Sequence, residues 1–245
     1  MADTTPPLAA APQPVALVIG AGDATGGAIA QRFAREGYVA CVTRRSADKL
    51  QPLVDTIRAA GGQAHGFASD ARQEEEVVAL VDRIEREIGP IEVLVFNIGA
   101  NVPCSILEET ARKYFKIWEM ACFSGFLNAR EVTKRQVARG RGTILFTGAS
   151  AGVKGFPQSA PFAMGKFAQR GLAQSMSREL HPKGIHVAWI NIDGMIRNPG
   201  RSEPADNPDS MLDPDAIART YLALVRQDRS AWSEEIAVRP WVEKF

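Results

Sequence analysis

The stretch VALVIGAGDATGGAIA, residues 15–30, decides how the chain is read. Five apolar residues (Val15, Ala16, Leu17, Val18, Ile19) run straight into a turn of small residues, and a helix-forming segment comes next. A buried strand that ends in glycines and opens a helix leaves backbone N–H groups unpaired where an anion can sit. At the front of an alternating α/β chain such a turn points to a dinucleotide site. The same glycines, Gly20, Gly22, Gly26 and Gly27, also suit a strand and helix that merely pack closely. Read as G-x-G-x-x-G, the run has one residue too many between Gly22 and Gly26; read as G-x-x-x-G-x-G, it has Ala24 at the second glycine. Taken alone, the turn leaves both readings open.

Outward from this unit, short apolar runs at 38–43, 63–68, 91–96, 142–147 and 185–192 alternate with amphipathic stretches at 25–36, 47–60, 73–88, 110–138, 159–180 and 214–226. Strands spaced by helices imply βαβ units, and therefore a parallel sheet covered on both faces. Right-handed crossovers then predict a doubly wound, Rossmann-like α/β sheet, most simply in the strand order 3-2-1-4-5-6. Gly37 and Gly61 fall just past helix ends, and Gly89-Pro90 stops a third helix. No linker, repeat or charge block divides residues 15–245, so a single domain is expected.

Composition narrows the function classes. The 245 residues are 45% hydrophobic and 23% charged, with a net charge of +1, so no global field draws nucleic acid or an acidic membrane surface. Cys41, Cys104 and Cys122 form neither a disulfide framework nor a zinc pattern, and His65, His181 and His186 are scattered, so no metal site is expected. Residues 1–14, rich in Pro and Ala, lack the basic start and apolar stretch of a secretory signal and read as a flexible tail. No apolar run approaches a membrane span. These features suit a cytoplasmic protein.

The second apolar run ends in Thr43-Arg44-Arg45. An acidic side chain at this place accepts from a ribose 2′-OH, whereas arginine accommodates a 2′-phosphate. Two arginines without a carboxylate favour NADP(H) over NAD(H), through charge-assisted and often bidentate hydrogen bonds. Ser69-Asp70-Ala71 and Asn97-Ile98-Gly99-Ala100 fall at the ends of the third and fourth strands, on the sheet edge where ligands bind in this architecture.

Over residues 15–200 the chain resembles the short-chain dehydrogenase/reductase family. Gly20 to Gly26, with Asp23 and Thr25 between them, stands at the place of the family's glycine-rich turn. Asp70-Ala71 resembles the adenine-contacting pair, and Asn97-Ile98-Gly99-Ala100 resembles the Asn-Asn-Ala-Gly segment. Phe162-Ala163-Met164-Gly165-Lys166 takes the place of Tyr-x-x-x-Lys, and Ile192-Asp193-Gly194 that of Pro-Gly ahead of nicotinamide contacts around Ile196. The resemblance implies a small-molecule carbonyl or alcohol substrate, a lysine (Lys166) that holds the nicotinamide ribose, a homodimer or homotetramer, and a substrate loop near 197–213.

The catalytic pattern breaks at three of its four places. Phe162 occupies the position of the tyrosine acid and cannot donate a proton. Thirteen residues earlier, at the serine position, stands Ala149, with Ser150 beside it as a candidate. The asparagine position, aligned through Phe126-Leu127, falls on Ala121. Ser159, Cys122, Asp193, Tyr114 and Lys166 itself are the remaining candidates for proton transfer. A positioned acid–base group contributes about 10²–10⁴-fold in rate, so its loss slows hydride transfer without abolishing it. The residues allow three readings: an NADP-dependent oxidoreductase with a non-standard proton donor, a nucleotide-bound protein that has lost catalysis, and a reductase whose substrate supplies its own proton route or takes the proton from water. Apolar surface on the stretches 110–138 and 159–180, including Phe115, Trp118, Phe126 and Phe167, exceeds what a sheet-facing stripe requires. It serves the core or a second subunit. The stretch 232–241, with two tryptophans, stands where the resemblance implies a last strand and reads as a packed structural segment.

Overall fold

The computed structural model describes residues 12–99 and 101–243. Its opening strand β1 (Val15–Ile19) is buried at every residue, as expected for the centre of a sheet covered on both faces. Helix α1 (Thr25–Arg35), β2 (Val39–Arg44), α2 (Gln51–Ala59), β3 (Gln63–Ala68), α3 (Glu74–Glu87) and β4 (Ile91–Phe96) complete the first half. The second half contains α4 (Ala111–Trp118), α5 (Ser124–Arg139), β5 (Gly142–Thr147), α6 (Ala160–Leu180), β6 (Ile185–Ile192), the short strands β7 (Met195–Ile196) and β8 (Met211–Leu212), α7 (Pro214–Val225) and β9 (Glu235–Val238).

The main sheet runs β3-β2-β1-β4-β5-β6-β9, with every pairing parallel. This is the expected doubly wound order, extended by a seventh strand from the C-terminal stretch. Helices α1, α2 and α7 cover one face, through Ile29, Phe33, Val54 and Tyr221. Helices α3, α5 and α6 cover the other, through Val81, Ile84, Val132 and Leu180. Strand order reverses between β1 and β4, and their carboxyl ends, Ile19 and Phe96, open the crevice that holds ligands in such sheets.

Two helical stretches are interrupted. The 47–60 stretch becomes a 3₁₀ turn (Ala47–Lys49) followed by α2, with Pro52 in the first turn of the helix, where a missing N–H costs nothing. Between α4 and α5 lies a π-helical turn, Glu119–Phe123, where Ser124 Oγ donates to the Met120 carbonyl at 2.7 Å. Such turns insert a residue into a helix and re-aim its next turns. At the C-terminus, Trp232 stacks on His186 with centroids 4.9 Å apart, and Arg170 grips Glu235 of β9 through two 2.8 Å bonds. The expected tail lies outside the described residues as far as residue 11, while the carbonyl of Pro14 accepts from Val39 N at 2.9 Å.

Candidate cofactor and active site

Close backbone approach shapes the glycine turn. Gly20 leaves β1 with φ +84°, and a Cβ on Gly26 would lie 2.5 Å from the Gly20 carbonyl oxygen. One on Gly27 would lie 2.7 Å from that of Gly22. Only glycine lets α1 start this close to the turn. Ala24 sits at the N-cap of α1 with φ −115°, a value that needs no glycine, so the departure from the motif leaves the backbone path intact. No side chain caps this helix, and no acidic residue occupies its first turn. The N–H of Gly27 donates to the Gly22 carbonyl at 2.9 Å, which leaves those of Thr25 and Gly26, with the positive end of the dipole, to face an anion. Asn97, at the end of β4, stitches the turn to the sheet by donating Nδ2 to the Gly20 carbonyl at 3.0 Å.

From the turn, a cavity of about 510 Å³ extends along the ends of β2 and β3, lined by Arg44, Arg45, Asp70 and Ala71. The two arginines differ. Arg44 Nη2 lies 3.0 Å from Asp23 Oδ1, and its Nη1 donates to the Lys49 carbonyl at 3.1 Å. Arg45 is exposed and forms no ion pair among the described residues. Asp70 is held in a fork by Arg72, at 2.9 Å from Nε and 2.5 Å from Nη2, which keeps its carboxyl below the usual carboxylate range. β2 itself ends without a carboxylate, and the acidic group that reaches its end is Asp23 of the glycine turn, paired with Arg44.

In the other direction lies a cavity of about 910 Å³, which shares Gly20, Asp23, Asn97 and Gly99 with the first. Gly22, Thr25, Gly26, Gly194 and Ile196 line it, as do Ser150, Phe162 and Lys166 from the β5 and α6 side. Lys166 Nζ donates to the Thr147 carbonyl at 2.6 Å and the Ile98 carbonyl at 3.2 Å, with Gln169 Oε1 at 3.5 Å. Burial pushes this ammonium down to about 7, opposed by the charge of the nearby Cys122 thiolate. A Cβ on Gly99 would lie 3.1 Å from Lys166 Nζ and 3.6 Å from the Phe162 ring, so the fourth-strand segment closes directly over both side chains. Its neighbour Ala100 lies outside the described residues.

Residues 121 and 169 form a contact that sequence reading missed. Gln169 Nε2 donates to the Ala121 carbonyl at 2.9 Å, and its Oε1 accepts from Trp189 Nε1 at 3.3 Å. Ala121 is fully buried in the π-helical turn; a Cβ on Gly165 would come within 2.9 Å of its own Cβ. At this place the chain uses a backbone carbonyl rather than a side chain. A glutamine three residues after a buried lysine, on the same helix face, was the available signal.

The proton-transfer candidates separate cleanly. Ser159 and Lys166 line the larger cavity together with Ala149 and Ser150, whereas Tyr114, Cys122 and Asp193 line neither cavity. Asp193 pairs with Arg239 at 3.2 Å, and burial raises the Cys122 thiol. The 197–213 segment is gathered at its base by the β7–β8 pairing and by Arg197 and Asp213 at 3.0 Å. Within it, Glu203 accepts from Met211 N at 2.9 Å. Among the described residues no group of three His, Cys, Asp or Glu side chains is placed to hold a metal, and no helix is long and apolar enough to cross a membrane.

The family model for short chain dehydrogenases matches residues 14–209. The chain belongs to the short-chain dehydrogenase family. Among solved structures, a short-chain dehydrogenase from Rhodopseudomonas palustris is 43% identical, with a TM-score of 0.81 over 93% of this chain and 99% of that one. A short-chain dehydrogenase/reductase from Armillaria gallica is 32% identical over 176 residues, 71% of this chain and 67% of its own length. A metagenomic short-chain oxidoreductase in complex with NADP shares the fold, with a TM-score of 0.82 at 24% identity over 95% of this chain and 99% of that one. The doubly wound sheet and the crevice at its carboxyl edge are the short-chain dehydrogenase architecture, built to hold a nicotinamide cofactor.

Proposed function

We propose that the chain is an NADP-dependent oxidoreductase that interconverts a small carbonyl compound and its alcohol by a proton route independent of residue 162. The observation that carries this reading is the continuous groove from Arg44 and Arg45, past the uncapped start of α1, to Lys166. Gly20 and Gly22, whose N–H groups donate to the Thr43 and Gly20 carbonyls, would shape the turn around the diphosphate; Asp23, Thr25 and Gly26 would offer it their N–H groups, and Arg44 and Arg45 would meet the 2′-phosphate. Asp70 and Ala71 would face the adenine, Asn97 and Gly99 the central riboses, Lys166 the nicotinamide ribose, and Gly194 and Ile196 the nicotinamide. When bound, that group supplies the hydride. The chain's own contribution is to orient it, exclude water along the walls formed by Phe156, Phe162 and Met195, and deliver a proton to the substrate oxygen. The segment 197–213 closes the substrate side.

The deciding experiment is twofold: titration of NADPH and NADH by fluorescence, then NADPH oxidation with the activated carbonyls diacetyl and isatin. Binding with turnover supports the reading, and the absence of NADPH binding overturns it. Phe162 favours a second reading, a cofactor-bound protein with impaired catalysis and a regulatory or structural role; binding without any turnover supports that one. In either case we expect a cytoplasmic homodimer or homotetramer. Its three cysteines are free, and an aromatic ladder runs from Phe115 through Trp118 and Phe123 to Phe126, with centroid spacings of 5.6, 5.8 and 6.1 Å.

A further inference from the structure

We infer that Ser159, oriented by Asn101, holds and protonates the substrate oxygen in the position that Phe162 leaves without a donor. This rests on the oxidoreductase reading above and assigns that site its missing group.

Ser159 is the N-cap residue of α6, where a serine ordinarily turns its oxygen onto the N–H groups of the first helical turn. Here it makes no cap bond. Its Oγ instead donates to Asn101 Oδ1 at 3.4 Å, and the residue, 7% exposed, lines the larger cavity together with Asn101. The side chain is thus diverted from the helix to the site.

The backbone leading to it is held in an uncommon conformation. Ser159 N donates to the Phe156 carbonyl at 3.2 Å, closing a turn in which Gln158 adopts φ +59°. Gln158 and Asp209 are the non-glycine residues at positive φ among those described. Such a residue persists only where its surroundings over-determine it. The Gln158 carbonyl accepts from Cys104 N at 2.9 Å, which ties this turn to the segment carrying Asn101. Ser159 is therefore fixed from the backbone, and its turn is tied to the segment that carries Asn101.

Helical spacing supplies the rest. Residues 159, 162 and 166 fall on one face at successive turns, and all three line the cavity. The hydroxyl missing at 162 reappears one turn earlier. The other groups are less well suited. Ser150 Oγ has no orienting partner among the described residues, and Lys166 is committed to two backbone carbonyls.

Atoms and electrons balance in this step. Hydride from the reduced nicotinamide forms the new C–H bond, and the carbonyl π pair becomes an alkoxide. Rotation about Cβ–Oγ swings the Ser159 hydrogen from Asn101 to that oxygen, and Ser159 regains a proton from solvent water at the exposed Asn101. The carbonyl is reduced to the alcohol, NADPH is oxidised to NADP⁺, and one proton is taken from solvent.

The test measures NADPH oxidation with diacetyl and isatin, NADPH affinity by fluorescence, and thermal unfolding, all on the full chain. Ser159→Ala should lower kcat about a hundredfold, the low end for a positioned proton donor, with NADPH Kd unchanged within about twofold. Its unfolding midpoint should hold, since no cap bond is lost. Ser159→Thr should restore most of kcat, and Asn101→Ala should lower kcat with the same unchanged Kd. Retained kcat in Ser159→Ala, an equal loss of NADPH affinity, or a loss confined to Ser150→Ala overturns the assignment while leaving the oxidoreductase reading intact. A wild type that binds NADPH yet oxidises none with either probe overturns both.

Discussion

Lys166 Nζ donates to the Thr147 carbonyl at 2.6 Å, so the ammonium is anchored to the last residue of β5 rather than to a carboxylate. Burial pushes its pKa from 10.5 down to about 7. Proton binding sets the sign of the consequence. Below about 7 both folded and unfolded chains carry the charge; between about 7 and 10.5 the unfolded chain alone binds the extra proton, so stability rises with pH. The limiting slope is about 1.4 kcal/mol per pH unit. The difference between the denaturant-unfolding profiles of wild type and Lys166→Met should carry this slope, because the raised Cys41 thiol adds its opposite slope to both proteins. Parallel profiles would mean that the ammonium keeps its ordinary pKa.

Cofactor choice should depend on Arg45. Arg44 already shares its charge with Asp23 and the Lys49 carbonyl, whereas Arg45 carries no such partner among the described residues. Arg45→Ala should weaken NADPH about tenfold or more and leave NADH little changed, since a hydrogen bond to a charged group is worth about 1.5–3 kcal/mol. Asp23→Asn should free Arg44 and tighten NADPH. Equal wild-type affinities for the two cofactors would mean that neither arginine meets a 2′-phosphate.

Restoring the acid at residue 162 gives a direct test of what limits turnover. Phe162→Tyr should raise NADPH oxidation with diacetyl, but by less than the full range of about 10²–10⁴-fold open to a positioned acid. Ala149 offers no hydroxyl, and Ala121 is jammed against Gly165, so two further partners are missing. An unchanged rate would show that residue 162 is not the limiting group.

Exposed aromatics set the assembly prediction. Phe115, Phe126 and Phe167 are 57%, 36% and 44% exposed on α4, α5 and α6, more apolar ring surface than one sheet-facing stripe needs. The double variant Phe115→Asp, Phe126→Asp should shift the protein to a monomer in light scattering. A monomeric wild type would contradict an interface on these helices.

The doubly wound sheet was legible because each strand is a short apolar run and each helix an amphipathic stretch, and that periodicity does not depend on partners. Gly20, Gly26 and Gly27 were legible because backbone crowding excludes any side chain there. Interruptions were harder to foresee. Nothing local in residues 119–123 distinguishes a π-helical turn from an α-helix; in the structure the turn packs Ala121 against Gly165 on another helix. The seventh strand, Glu235–Val238, was foreshadowed by the family resemblance alone; in the structure Arg170 and Gln174 grip its Glu235.

By itself, then, the sequence determined the fold, the glycine turn after β1, the arginines at the end of β2 and the phenylalanine at 162. Those features arise from residue type and spacing, which act locally. Tertiary structure alone decided that Ser150 and Ser159 line the cavity while Tyr114, Cys122 and Asp193 do not. It also decided that Gln169 bridges Ala121, Trp189 and Lys166. Those outcomes depend on side chains far apart in the chain meeting at the carboxyl edge of one sheet, where direction and burial, not residue type, select the partner.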